Sequence, residues 1–424
     1  MVAFRRRRAD GGRVRPAIGR TLAVLLCLAA CSAPARQPPS TTDPVDPCAA
    51  SPTRESCASV EVSGHAQRYT LLRRGTTAET VVVDLGGPGL SLLGGVFHLA
   101  SYGTDQPRLR RYNLLFLEEP WVTAPLADGC DTALTAYYRA LRDAPARAAG
   151  TGAALRTACA GEAPGTWGFA PDRYAAALRA IAGKERLRLT GFVGYSFGDV
   201  RFSYARALDF RWAVFVRPYP LGVSGAEIVA ARAEELADLL ARARKLRTRP
   251  DATSAPRSLP VTEFDHLSAQ VALSYLDGPT FADYGREVVD GSNPARIGAL
   301  SDDLWKRYGT EQMSPGYLAY LDEVCRATPG WPAVGAIGTP ADVIAASTTP
   351  CAAYPAEATS IDARTAVCVV TSDADPVLPA RLSRRMLARH PAWRRVSTPT
   401  AEHASSDGLD TCLASLHRDP GDRP

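Results

Sequence analysis

Histidine is scarce in this chain, six among 424 residues, and the patterns that hold metals and nucleotides are missing altogether. None of the ten cysteines stands in a CxxC or Cys/His cluster with zinc spacing, so no metal is implied. The one glycine-rich loop, "DLGGPGLSLLGG", has no P-loop lysine and does not fit G-x-G-x-x-G, which argues against a nucleotide; no organic cofactor is implied either. Long apolar runs are lacking too: "LAVLLCLAA" is too short to cross a bilayer as a stable helix. Charge of one sign is absent from the body. Residues 1–30 hold seven arginines and one aspartate, a balance of +6 against +5 for the whole chain, which leaves −1 for the rest and no surface for nucleic acid. No internal repeat is apparent. With 46% hydrophobic and 22% charged residues the chain is globular, and it is long enough for a large core.

The first 30 residues have the parts of an export signal: arginines from Arg5 to Arg20, the short apolar core, then Cys31. "LAAC" resembles the lipobox of bacterial lipoproteins, which implies lipidation of Cys31 and contact with a membrane through the anchor. Residues 31–47, rich in proline, serine and threonine, suit a flexible tether. Eight further cysteines, Cys48, Cys57, Cys130, Cys159, Cys325, Cys351, Cys368 and Cys412, suggest disulfides in an exported protein facing outward or secreted. Eight cysteines allow about 105 pairings. We expect 48–57, 130–159, 325–351 and 368–412.

A hairpin of "SVEVSG" and "RYTLLRR" opens the body. After it, short apolar runs ("VVVDL", "NLLFL", "LRLTGFVG", "WAVFV", "AVCVV", "WRRVST") alternate with segments of helical spacing such as "DRYAAALRAIAG". That alternation predicts a mostly parallel sheet with helices on both faces. The stretch 222–345 breaks the rhythm, being helix-like with few strand candidates. It predicts a helical insertion over the sheet's carboxyl edge, dividing an α/β core into 48–221 and 346–424.

In "GFVGYSFGDV" the spacing is G-x-S-x-G between a strand and a helix-like segment. A tight strand-to-helix turn there projects the Ser196 hydroxyl at the sheet edge, and the glycines remove side chains that would clash. An alcohol needs a base and a carboxylate to act as a nucleophile at neutral pH. Of His65, His98, His266, His390, His403 and His417, only His403 follows the last strand in a loop able to reach Ser196. "TSDADPVLP" offers Asp375, with Asp373 as the alternative acid. Ser196, Asp375, His403 is the chain order of α/β-hydrolases. Two backbone N–H groups stabilise an oxyanion in such sites, here those of Phe197 and Gly87.

Together these segments resemble exported α/β-hydrolase peptidases of the tripeptidyl aminopeptidase and proline iminopeptidase type, over about residues 60–415. "VVVDLGGPGLS" is similar to that family's oxyanion loop, "GYSFG" to its nucleophile turn, "SDADPVLP" to its acid loop and "EHASSDGLDTC" to its base loop. Residues 129–162 look like its cysteine-bracketed helical segment. The resemblance implies an α/β-hydrolase fold, triad roles for Ser196, Asp375 and His403, and a substrate-selecting cap at 222–345. It implies removal of residues from the N-terminus of short peptides, with acidic groups holding the free amine; Glu118, Glu119 and Glu323 are the candidates. Tyr317, Tyr320 and Trp331 are candidates for lining the pocket, or for ordinary packing. The chain departs from the pattern at Glu118-Glu119-Pro120-Trp121, where Asp-Gln-Arg-Gly is usual, and at Arg217-Pro218-Tyr219-Pro220, where Asp-Gly is usual. Asp199 stands where a small residue is common. Two other functions fit the same residues: an ester, lactone or thioester hydrolase on the same triad, and an inert hydrolase fold that serves as a surface binding protein.

Overall fold

Each apolar run becomes a strand. The computed structural model describes residues 57–417 apart from 75–76, 93–105, 125, 161–165, 248–259, 308–311, 354–356, 358–360 and 362–364. The expected leader, tether, Cys31 and the Cys48 half of the first expected disulfide lie outside these residues. The strands are β1 (Cys57–Val62), β2 (His65–Leu72), β3 (Glu79–Asp84), β4 (Asn113–Leu117), β5 (Arg188–Tyr195), β6 (Trp212–Val216), β7 (Ala366–Ser372) and β8 (Arg394–Thr398). Ser63 and Gly64, both at positive φ, close the opening hairpin with the twist that two-residue turns favour.

The strands form one sheet in the order β1-β2-β4-β3-β5-β6-β7-β8. β2 pairs antiparallel with β1 and β4, and the other pairs are parallel. Alternate side chains serve opposite faces, as the period-2 pleat requires. Val82, Leu115, Phe192, Phe215 and Val369 pack with α3 (Pro171–Glu185) and α11 (Ala380–Ala388). Val81, Val83, Val193, Val214 and Val370 pack on the other face against Leu409 and Leu413 of α12 (Leu409–Leu416). Burial on both faces explains why these strands are nearly continuous apolar runs. The mostly parallel, helix-covered α/β sheet is therefore as expected.

Between β6 and β7 the described residues hold no strand. They form α5 (Gly225–Ala243), α6 (Glu263–Ala272), α7 (Gly278–Asp290), α8 (Pro294–Leu304), α9 (Pro315–Ala327) and α10 (Pro340–Ala346). Ser224 with Glu227, Thr262 with Asp265 and Thr339 with Asp342 make capping boxes that start three of them. α1 (Asp128–Asp143) and α2 (Ala148–Cys159) share a second core with these helices, built on Leu134, Tyr137, Leu155, Leu239, Phe264, Trp305 and Tyr317. This joint core is visible only in three dimensions, because α1 and α2 come from the chain ahead of β5. Disulfides 130–159 and 325–351 staple it, while 368–412 ties β7 to α12.

Candidate active site

β5 ends at Tyr195, and Ser196 follows at φ +48°, a left-handed conformation uncommon for a residue with a side chain. Its backbone is held on both sides: its N–H donates to Val216 O at 3.0 Å, and its carbonyl accepts from Tyr219 N at 3.0 Å. The turn has no room for a side chain at Gly194, where a Cβ would meet the Gly198 carbonyl carbon at 2.8 Å. Gly86, at φ +76°, packs equally close, since a Cβ there would stand 2.4 Å from Tyr195 O. Ser196 is only half-buried, and among the described residues no hydrogen bond joins its hydroxyl to His403 Nε2. Phe197 is the N-cap of α4 (Gly198–Tyr204), so its N–H is one of the donors a helix start leaves free.

Asp375, in the loop after β7, is buried. Its Oδ1 accepts from the N–H groups of Val377 (2.8 Å) and Leu378 (3.1 Å), and its Oδ2 meets His403 Nδ1 at 2.8 Å. Burial pushes its carboxyl up, but the pull of His403 and the two backbone donors outweighs this and holds it below the ordinary carboxylate range. An ionised Asp375 makes Nδ1 the donor and leaves the lone pair on Nε2. That Nε2 is buried and has no hydrogen-bond partner among the described residues. Asp373 lies at the surface, accepting from Ser397 Oγ at 3.0 Å, so the structure brings Asp375 and not Asp373 to the imidazole.

The His403 loop is fastened to the serine turn. Tyr195 Oη, from the residue before Ser196, donates to Ser406 Oγ at 3.0 Å, and Arg217 Nη1 donates to Ser405 O. Glu402 accepts from Gly278 N at 2.8 Å, tying the loop to the start of α7. Arg217, one of the departures noted above, follows β6 at φ +48° and is fully buried. Burial lowers its pKa, against the opposing field of Asp375 and Asp407. Asp199, another departure, is buried and one of its oxygens accepts from Tyr219 N at 3.1 Å beside the turn; desolvation raises its pKa well above normal.

The three glutamates expected to hold an amine lie beneath the glycine loop. Arg201 of α4 donates from Nε and Nη2 to Glu323 at 2.8 Å each, from Nη2 to Glu119 at 2.6 Å, and from Nη1 to Asp84 at 3.4 Å and Gly86 O at 3.3 Å. Glu119 also accepts from Gly89 N at 3.3 Å and stands close to Gly87. Glu118 stands apart from Arg201: it accepts from Leu92 N and Ser91 Oγ, both at 2.9 Å. Three buried carboxylates around one cation cannot all stay ionised. Burial, opposed by Arg201 and reinforced by Glu323, pushes Glu119 up to about 8. Chain position alone marked neither Arg201 nor Asp84; the placement of α4 under the loop joins them. Tyr317 is buried and stacks on Tyr137 and Tyr320, while Tyr320 and Trp331 are half-buried. Among the described residues no group of three His, Cys, Asp or Glu side chains is placed to hold a metal ion, and no helix is long and apolar enough to cross a membrane.

No family model and no curated protein matches the chain. Among solved structures, the naproxen esterase (carboxylesterase NP) of Bacillus subtilis is similar at 9% identity and TM-score 0.41, over 88% of this chain and 94% of that one. An α/β-hydrolase fold protein from Burkholderia ambifaria is similar at 12% identity and TM-score 0.37, over 85% and 96%. A hydrolase from Pseudomonas aeruginosa is similar at 11% and 0.38, over 85% and 97%. The strand order, with β2 antiparallel in an otherwise parallel array and a strained serine turn after β5, is that of an α/β-hydrolase fold.

Proposed function

We propose that the protein is an exported serine hydrolase that works through an acyl-enzyme on Ser196. The observation that carries this is the Asp375–His403 hydrogen bond, which leaves His403 Nε2 buried and unpartnered in a loop fastened to the Ser196 turn. His403 takes the proton as Ser196 Oγ attacks the acyl carbon, and Asp375 steadies the imidazolium. The N–H groups of Phe197 and Gly87 hold the oxyanion. Collapse breaks the acyl bond, and His403 returns the proton to the leaving group. Water, deprotonated by His403, then attacks the acyl-enzyme and frees Ser196. Three disulfides suit an oxidising compartment. The lipid anchor at Cys31 belongs to the same proposal, with loss of acyl labelling in Cys31→Ser as its check.

The family resemblance favours short peptides with a free N-terminus. A second reading, ester or related acyl substrates, is favoured by the engagement of Glu119 and Glu323 with Arg201 and of Glu118 with the 91–92 segment. Turnover of matched peptides with free and blocked amines, set against p-nitrophenyl esters, decides between them. Free-amine peptides preferred at least tenfold in kcat/KM support peptide trimming; indifference to the amine supports the second. No turnover in any class, with Ser196→Ala as the blank, contradicts both.

A further inference from the structure

The helical segment places a cation one aromatic ring away from the imidazole. Arg232 of α5 donates from Nη2 to Tyr275 Oη at 2.9 Å, and its guanidinium lies 5.7 Å from the centre of the Tyr275 ring. The same ring meets His403 edge-on at 6.3 Å. Tyr275 is 44% exposed, the large hydrophobic side chain most open to solvent among the described residues, so it borders open space beside the triad and not the core. Tyr320 and Tyr219 also lie near enough to act on Arg232, and Tyr219 is the residue whose N–H holds the Ser196 carbonyl.

Arg232 has no carboxylate within ion-pair distance among the described residues, and its Nε is buried without a partner. Arg232 as a whole is half-buried, whereas fully buried arginines elsewhere are matched: Arg201 by Glu119 and Glu323, Arg296 by Glu287, Arg307 by Asp302. Arg217 also lacks an ion pair, but Ser405 O and Thr398 take its donors. A desolvated guanidinium without a counter-charge is costly, and its planar fork suits a carboxylate from outside the fold. We infer that Arg232, framed by Tyr275 and Tyr320, is a subsite for a carboxylate carried by the acyl substrate, which makes it a specificity-determining residue.

This rests on the hydrolase proposal for its substrate, and its test is binding, which needs no turnover. In the Ser196→Ala protein, calorimetry compares the mono-anilides of malonic, succinic, glutaric and adipic acids with their methyl esters. At one chain length at least, the acid is expected to bind tenfold or more tighter than its ester. Adding Arg232→Gln abolishes the difference while ester affinity holds, and Arg232→Lys keeps part of it. No acid preference at any length overturns the inference, as does a preference that survives in folded Arg232→Gln protein. Should the glutamine variant not fold, Arg232→Lys gives the same decision through a loss confined to the acids. An acid preference without labelling of Ser196 by a fluorophosphonate in the parent protein retains the subsite and removes the hydrolase proposal.

Discussion

Replacing Arg201 by methionine keeps most of the side chain's bulk and removes the cation that serves Glu119, Glu323 and Asp84. All four side chains are almost fully buried, so solvent screens little of the loss. Removing one partner of a buried pair costs about 3–5 kcal/mol. Here Asp84 keeps Tyr174 Oη at 2.8 Å and Gly86 N at 2.9 Å, and Glu323 keeps Phe169 N at 3.1 Å, so about 3–4 kcal/mol is expected at pH 8. The cost depends on pH in a defined direction. Glu119 already titrates near 8 in the folded protein, above its unfolded value, so its burial destabilises progressively as pH rises from about 4.5 towards 8. Without Arg201 the folded Glu119 and Glu323 carboxyls shift higher still. Each carboxyl that is ionised in the folded parent but protonated in the folded variant adds about 1.4 kcal/mol of deficit per pH unit. Urea unfolding of parent and Arg201→Met between pH 5.5 and 8 therefore shows a deficit that grows with pH, and adding Glu323→Gln recovers part of it. A deficit under about 1 kcal/mol at pH 8, or one unchanged across that range, refutes the reasoning.

Asp375→Asn keeps the shape but offers His403 Nδ1 the wrong partner, so kcat on whichever substrate proves active falls about ten-thousand-fold with little change in KM. Stopped assays on purified variant and parent measure it, and a fall under about tenfold contradicts the assigned acid. Arg217→Met frees the Ser405 carbonyl and loosens the His403 loop, lowering kcat about a hundredfold while the fold persists by circular dichroism. Replacing Cys368 and Cys412 together by alanine releases α12 from β7 and costs about 2–5 kcal/mol by denaturant unfolding.

The sheet is legible because its central strands are buried on both faces and must be apolar throughout: "WAVFV" and "NLLFL" have no polar side to disguise them. The serine turn is legible because the close approach at Gly194 and Gly86 leaves glycine as the residue that fits. Ser196, Asp375 and His403 follow from strand order, since each ends a parallel strand or the loop beyond it. The acidic residues are less so. Glu119 and Glu323 are 204 positions apart, and only the placement of α4 brings Arg201 between them. Arg232 sits in "VAARAEELADLL", the pattern of a surface helix, and it becomes unusual only once Tyr275 is seen to link it to His403. The share of α1 and α2 in the second core is likewise a tertiary fact, since their apolar spacing fits packing on either body.

Fluorophosphonate labelling of the disulfide-intact protein, with the adduct located by peptide mass mapping, tests the activation of Ser196 most directly. The account predicts a single adduct on Ser196, absent in Ser196→Ala and formed far more slowly in Asp375→Asn. A folded protein that takes no label, or carries it on another residue, contradicts the account and favours a hydrolase fold used for binding.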